Sequence, residues 1–343
     1  MREAVEFRIP EESARRVLGP EDGTTLGGTV RKIKLNPSDP RLSLIRDAEA
    51  DCRSRGGAFF TSWNVTREYS ARELDNAEAF RLSIRRVFEP TGEECGTRYS
   101  DEEACPMCGA GGRQVGDLRL DLRRLPRGVD LARSIADEWV VSQKFAELAI
   151  DRGLTGVEFG RVLHRAAPLE SFELRTVPAG RELMKSAEGQ GIAPDSGEYW
   201  VWLNRAENHA AFERARNEAS SLERAAHRPS QVLSFWHQLR IVSPPVPVAH
   251  QTRFGTDIFD EDPEGAYKCP LGHVAGLNLL SEVYVPRTDL PNTDFTVTRE
   301  LVGDRRGLLR PSPLLLVSQR VRVLLVEHGI KGYDLEVAHL VED

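Results

Sequence analysis

The end of this chain repeats a stretch from its middle, and that duplication limits the folds open to it. Val141-Ser142-Gln143-Lys144 returns as Val317-Ser318-Gln319-Arg320. At the same offset Leu148 falls on Leu324, Gly153 on Gly329, Gly156 on Gly332 and Glu158 on Asp334. Six of the nineteen aligned positions are identical, more than the shared chemistry of a capped helix supplies alone. In the first copy, Trp139-Val140-Val141 reads as a strand and Ser142 as an N-cap. The helix from Gln143 ends at Gly153, a C′ glycine, and a strand follows from Gly156. The second copy reads the same way: Leu314–Val317, the cap Ser318, a helix from Gln319, Gly329, then a strand from Tyr333. The expected fold is α+β, with two related strand–helix–strand units.

A Cys-Pro knuckle lies upstream of each copy. The first is Cys105-Pro106-Met107-Cys108-Gly109, and the second, Cys269-Pro270-Leu271-Gly272-His273, is altered. A two-residue gap lets both thiolates of the first knuckle approach one ion, with the glycine allowing the tight turn. Tetrahedral zinc needs four ligands, so a pseudo-twofold arrangement would bring Cys105 and Cys108 together with Cys269 and His273. Cys95 competes with His273 for the fourth place. Four protein ligands leave no open position, so such a zinc would be structural. A redox pair and plain buried thiols are the other two readings of Cys105 and Cys108. The expected architecture is therefore two units joined through a zinc-knuckle pair, with an N-terminal α/β extension.

The remaining chain divides by pattern. Residues 1–92 alternate short strand-like and helix-like pieces, including a helix opened by the capping box Ser70-Ala71-Arg72-Glu73. Residues 93–170 hold the first knuckle and repeat, and 251–343 the second. Residues 171–250 form a polar insertion, with helical spacing over 204–228 and the extended connector Ser243-Pro244-Pro245-Val246-Pro247.

Composition narrows the function classes. Apolar residues at 40% and charged ones at 29% describe a soluble globular protein, and no apolar run reaches membrane-spanning length. Five cysteines behind a start without an apolar signal segment fit reduced thiols in a cytosol. The net charge of −7 disfavours nucleic acid and suits a basic partner. Asp257, Asp260, Glu261 and Asp262 form an acidic run without the ligand spacing of a calcium loop, which reads as a solvated contact for such a partner. His164 and His339 follow the third strand of each copy, one residue out of register. With Asp257 and Arg305 they are the candidates for an enzyme site between the copies. No nucleophile elbow, zinc-protease helix or Walker lysine motif occurs, and no catalytic residue is assigned.

With Cys105–Gly109, Val140-Val141-Ser142, Gly153–Phe159 and the tail Gly329–Val341 laid out, the chain resembles the myxobacterial CxxCG-motif proteins and related polymorphic-toxin immunity families. The resemblance covers about a third of the chain and departs from the double CxxCG pattern at the second knuckle. It implies a cytoplasmic protein that neutralises a cognate toxin by binding it, not by turnover.

Overall fold

The computed structural model describes residues 1–165 except 101 and 103, 177–193, scattered positions over 199–218, and 235–262, 275–303 and 311–342. It is a mixed α+β protein with several sheets, one of them a curled half-barrel.

The N-terminal layer begins with β1 (Arg2–Pro10), α1 (Glu11–Ala14), β2 (Thr24–Leu26), β3 (Val30–Leu35), α2 (Arg41–Ser54) and β4 (Ser62–Glu68). Its sheet runs β2-β3-β1-β4. Alternation along β1 sends Val5, Phe7 and Ile9 into a core with Ile33, Leu35 and Ile45. Next come α3 (Ala71–Asn76), whose capping box forms as the sequence predicts, then β5 (Ala79–Ile84) and β6 (Val87–Phe88). β7 (Arg98–Ser100), β8 (Arg113–Val115), β9 (Leu118–Leu120), β10 (Leu131–Ser134) and β11 (Trp139–Ser142) lead to α4 (Gln143–Asp151) and β12 (Val157–His164). The insertion contributes α5 (Pro178–Glu188). The second half holds β13 (Trp236–Ile241), β14 (Phe254–Asp257), β15 (Asp260–Asp262), β16 (Ala275–Leu279), β17 (Val283–Pro286) and β18 (Phe295–Val302). It closes with β19 (Ser312–Ser318), α6 (Gln319–Glu327) and β20 (Tyr333–Val341).

Two large sheets carry the duplication. One runs β6-β10-β11-β13-β12-β9, and the other β15-β14-β16-β18-β19-β5-β20-β17. The repeat is larger than the sequence match, and its first strands are exchanged. β13, which precedes the second copy, sits in the first copy's sheet, with Val141 opposite His237 and Val157 opposite Ile241. β5, which precedes the first copy, sits in the second copy's sheet, with Val317 opposite Phe80 and Tyr333 opposite Ile84. The two registers correspond residue for residue. Outer strands follow suit: Val162 pairs with Leu118 in parallel, as Ala338 pairs with Val283. Traded strands therefore hold the two units together.

Contacts across the pseudo-twofold repeat in the same way. Asp130 accepts from the Ser142 hydroxyl (2.9 Å) and from the Lys331 N–H (3.0 Å), in the other copy. Asp294 accepts from the Ser318 hydroxyl (2.7 Å) and the Thr155 N–H (2.9 Å). Lys144 Nζ donates to the His328 carbonyl, and Arg320 Nη2 to the Arg152 carbonyl. One core serves both copies, with Phe145, Ala146 and Ala149 of α4 and Val321, Leu324 and Leu325 of α6 packed among Phe80, Leu82, Leu239 and Phe295. The capped helices form as expected: Ser142 accepts from the Phe145 N–H and Ser318 from the Val321 N–H. Gly153 and Gly329, at φ 59° and 58°, end the helices in the left-handed region.

Candidate metal centre and acidic edge

Cys105 and Cys108 sit in a tight turn closed by two backbone hydrogen bonds, Gly109 N–H to Cys105 O (2.8 Å) and Cys105 N–H to Ala110 O (2.7 Å). Both side chains are buried and packed against Ala110 and Leu301. Leu301 belongs to β18 of the second copy, and its strand neighbour is Ala275, at the start of β16. The first knuckle thus lies against the second copy where β16 joins it. Cys269 and His273 lie outside the described residues. Among the described residues no three His, Cys, Asp or Glu gather into a metal site, so the two thiols are the donors in view.

Cys95 stands apart from that pair. It is fully buried, with its N–H on the Thr91 carbonyl. Burial pushes its thiol up to about 12, against a hydrogen bond from the Asp121 backbone that favours the thiolate.

The histidines occupy separate sheets and different surroundings. His164 Nδ1 accepts from the Leu122 N–H (3.2 Å) and lies 4.0 Å from Asp121 Oδ1. His339 stacks on Tyr284 with centroids 4.7 Å apart and places Nε2 2.9 Å from Glu282 Oε2. The Tyr69 hydroxyl donates to the other Glu282 oxygen (2.6 Å). Burial raises the Glu282 pKa, but contacts with His339 and Tyr69 outweigh it and hold the carboxyl below its ordinary value. His164 and His339 share no site, and Arg305 lies outside the described residues.

The acidic run is not an irregular loop. Asp257 closes β14, and Asp260, Glu261 and Asp262 are β15, the outermost strand of the eight-stranded sheet among the described residues. Phe254 pairs with Asp262 and Gly255 with Glu261. The turn residues Ile258 and Phe259 pack into the N-terminal core, with the Phe259 ring stacked on Phe7 at 5.7 Å. Two apolar residues inside an acidic run were the signal for that anchor.

Sequence reasoning missed Asp130 and Asp294, the carboxylates that join the copies. They precede Leu131 and Phe295, whose offset differs from that of the helices, so an ungapped alignment passes over them. No helix among the described residues is long and apolar enough to cross a membrane. The chain matches no family model, and no curated protein is similar to it.

Proposed function

We propose that this is a binding protein stapled by one structural zinc, which neutralises a basic protein partner, a toxin of the immunity type, in the cytoplasm. The observation that carries the metal half is the seat of the Cys105/Cys108 turn on Leu301, the strand partner of Ala275. In the sequence the second knuckle, Cys269–His273, runs directly into Ala275 with only Val274 between. Two soft thiolates with Cys269 and His273 make a closed tetrahedral set. The partner half is supported by the net charge of −7 and by a sheet edge whose sequence is Asp260-Glu261-Asp262. Carboxylates along an edge strand discourage self-pairing and attract a cationic surface.

The test is metal analysis of protein purified without added zinc. About one zinc per chain is expected, lost in the Cys105→Ser/Cys108→Ser double variant. Zinc retained by that variant would sink the site. For the partner, capture from the native host should weaken with salt and with the Asp257→Asn, Asp260→Asn, Glu261→Gln, Asp262→Asn variant. Equal association rate and salt dependence would place the interface elsewhere.

A further inference from the structure

We propose that the cleft on the pseudo-twofold seam, between the end of α4 and the first turns of α6, is a binding site for a small carboxylate with a short apolar tail. The cleft holds about 210 Å³ and is lined by Arg152, Leu154, Gln319, Arg320, Val323 and Leu324. A cavity of about 150 Å³ with aliphatic walls already admits a benzene-sized molecule, so a tail of about five carbons fits. The floor is apolar, with Leu324 buried and Leu154 half-buried. The rim is cationic, because the Arg152 and Arg320 side chains are 50% and 59% exposed.

The two guanidinium groups are held differently. Arg320 is fixed: Nη1 donates to the buried Asp294 Oδ2 at 2.8 Å and Nη2 to the Arg152 carbonyl at 2.9 Å. Those bonds occupy two of its five N–H donors. Arg152 is held lightly. Its Nη2 reaches Glu327 Oε2 at 3.0 Å, with His328 Nε2 3.3 Å from the same nitrogen, and Glu327 is itself half exposed. An exposed ion pair adds little stability, so an incoming carboxylate replaces Glu327 at small cost. It gains the planar fork of Arg152 and an apolar floor for its tail.

The related place across the pseudo-twofold is built against such a ligand. At the constant offset Val323 corresponds to Glu147, Arg152 to His328 and Arg320 to Lys144. Glu147 accepts from Gln143 Nε2 at 2.7 Å, so a carboxylate stands where the second copy has valine. Lys144 Nζ is turned onto the His328 carbonyl. One carboxylate exchanged for an apolar side chain, and one imidazole for a guanidinium, turn a single side of the seam toward an apolar-tailed anion.

The experiment titrates the full chain, methyl-labelled at leucine and valine, with hexanoate and follows the methyl resonances. Those of Leu154, Val323 and Leu324 should shift together and saturate, with a Kd of about 1 mM or below. Hexanamide keeps the tail without the charge and should bind at least about tenfold more weakly. Val323→Glu, which copies the first repeat into the second, should abolish the response. Arg152→Gln should weaken it about tenfold, and Glu327→Gln, which removes the competing carboxylate, should tighten it about threefold. All three positions are exposed, so the variants keep the fold. A blocked dipeptide ending in leucine carries the same groups at a chain terminus: tighter binding than hexanoate assigns the site to a peptide end, and weaker binding to a free acid. No saturable shift with either probe, an equal response to hexanamide, or an undiminished response in Val323→Glu overturns the proposal.

Discussion

The two copies agree where they touch each other and differ where they face outward. Their central sheets match in register, and each copy places a glycine, Gly156 or Gly332, against the other copy's backbone. Both flank strands are sealed by a threonine hydroxyl, Thr97 bridging to Arg119 and Thr252 to Tyr284. At the opposite edge they part. Among the described residues the first copy's sheet ends at β6, whose Phe88 pairs with Ser134. The second makes the corresponding bridge through Val246 to Thr298 and then adds β16 and the acidic hairpin. Contacts across a pseudo-twofold constrain both copies at once, whereas an outer edge can change in one copy alone. The added edge is where the two halves are free to differ in function.

The sharpest way to break that comparison is at the paired glycines. A Cβ on Gly332 would lie 2.2 Å from the Leu131 carbonyl oxygen, and one on Gly156 would lie 2.3 Å from that of Phe295. Both obstacles are backbone and both residues have positive φ, so Gly156→Val and Gly332→Val should each cost about 3–5 kcal/mol in denaturant unfolding. A mild effect at either one would mean the copies do not meet as described.

The bridging aspartates come next. Asp294 is buried and also holds Arg320 at 2.8 Å, whereas Asp130 is half-buried. Asp294→Ala should cost about 2–3 kcal/mol and Asp130→Ala about 1–2, measured the same way. The reverse order would show that Arg320 adds nothing.

Smaller effects are expected at Gly153 and Gly329. A Cβ there meets nothing within 4 Å, and only the left-handed backbone opposes it. Each Gly→Val change should cost about 1 kcal/mol, equal in the two copies. A cost rivalling that at Gly156 would expose a contact not described above.

The mildest probe is acid, and it separates the N-terminal layer from the duplicated core. The Arg31 guanidinium, against the opposing pull of burial, holds the Glu11 carboxyl down to about 2 from an ordinary 4.5. Arg41 does the same for Asp39, also to about 2. A folded value below the unfolded one stabilises fully above about 4.5 and is lost as pH falls toward about 2. Amide protection in β1 and β3, taken relative to the intrinsic exchange rate at each pH, should therefore fall across that window before protection in α4 does. Simultaneous loosening would mean the layer has no acid sensitivity of its own.

Much of the repeat was legible because its signals are local. A serine before a helix and a glycine after it act through the backbone within a few residues, so Ser142, Ser318, Gly153 and Gly329 could be placed from sequence. The acidic run was harder. Its carboxylates look like a solvated loop, but Ile258 and Phe259 turn it into a hairpin anchored by stacking on Phe7, a residue some 250 positions away.

The sequence by itself determined the duplication, the capped helices and the turn that brings Cys105 and Cys108 together. Only the tertiary structure decided that β5 and β13 change places. A strand's alternation says which face is buried but not which sheet receives it, and Phe80-Arg81-Leu82 and His237-Gln238-Leu239 fit either sheet by pattern. That choice was made by partners far along the chain, through ladders, shared core and the close backbone approach at Gly156 and Gly332. The same holds for Cys95, whose place in the sequence invites it to join the knuckle but which the fold buries beside Asp121 rather than with Cys105 and Cys108.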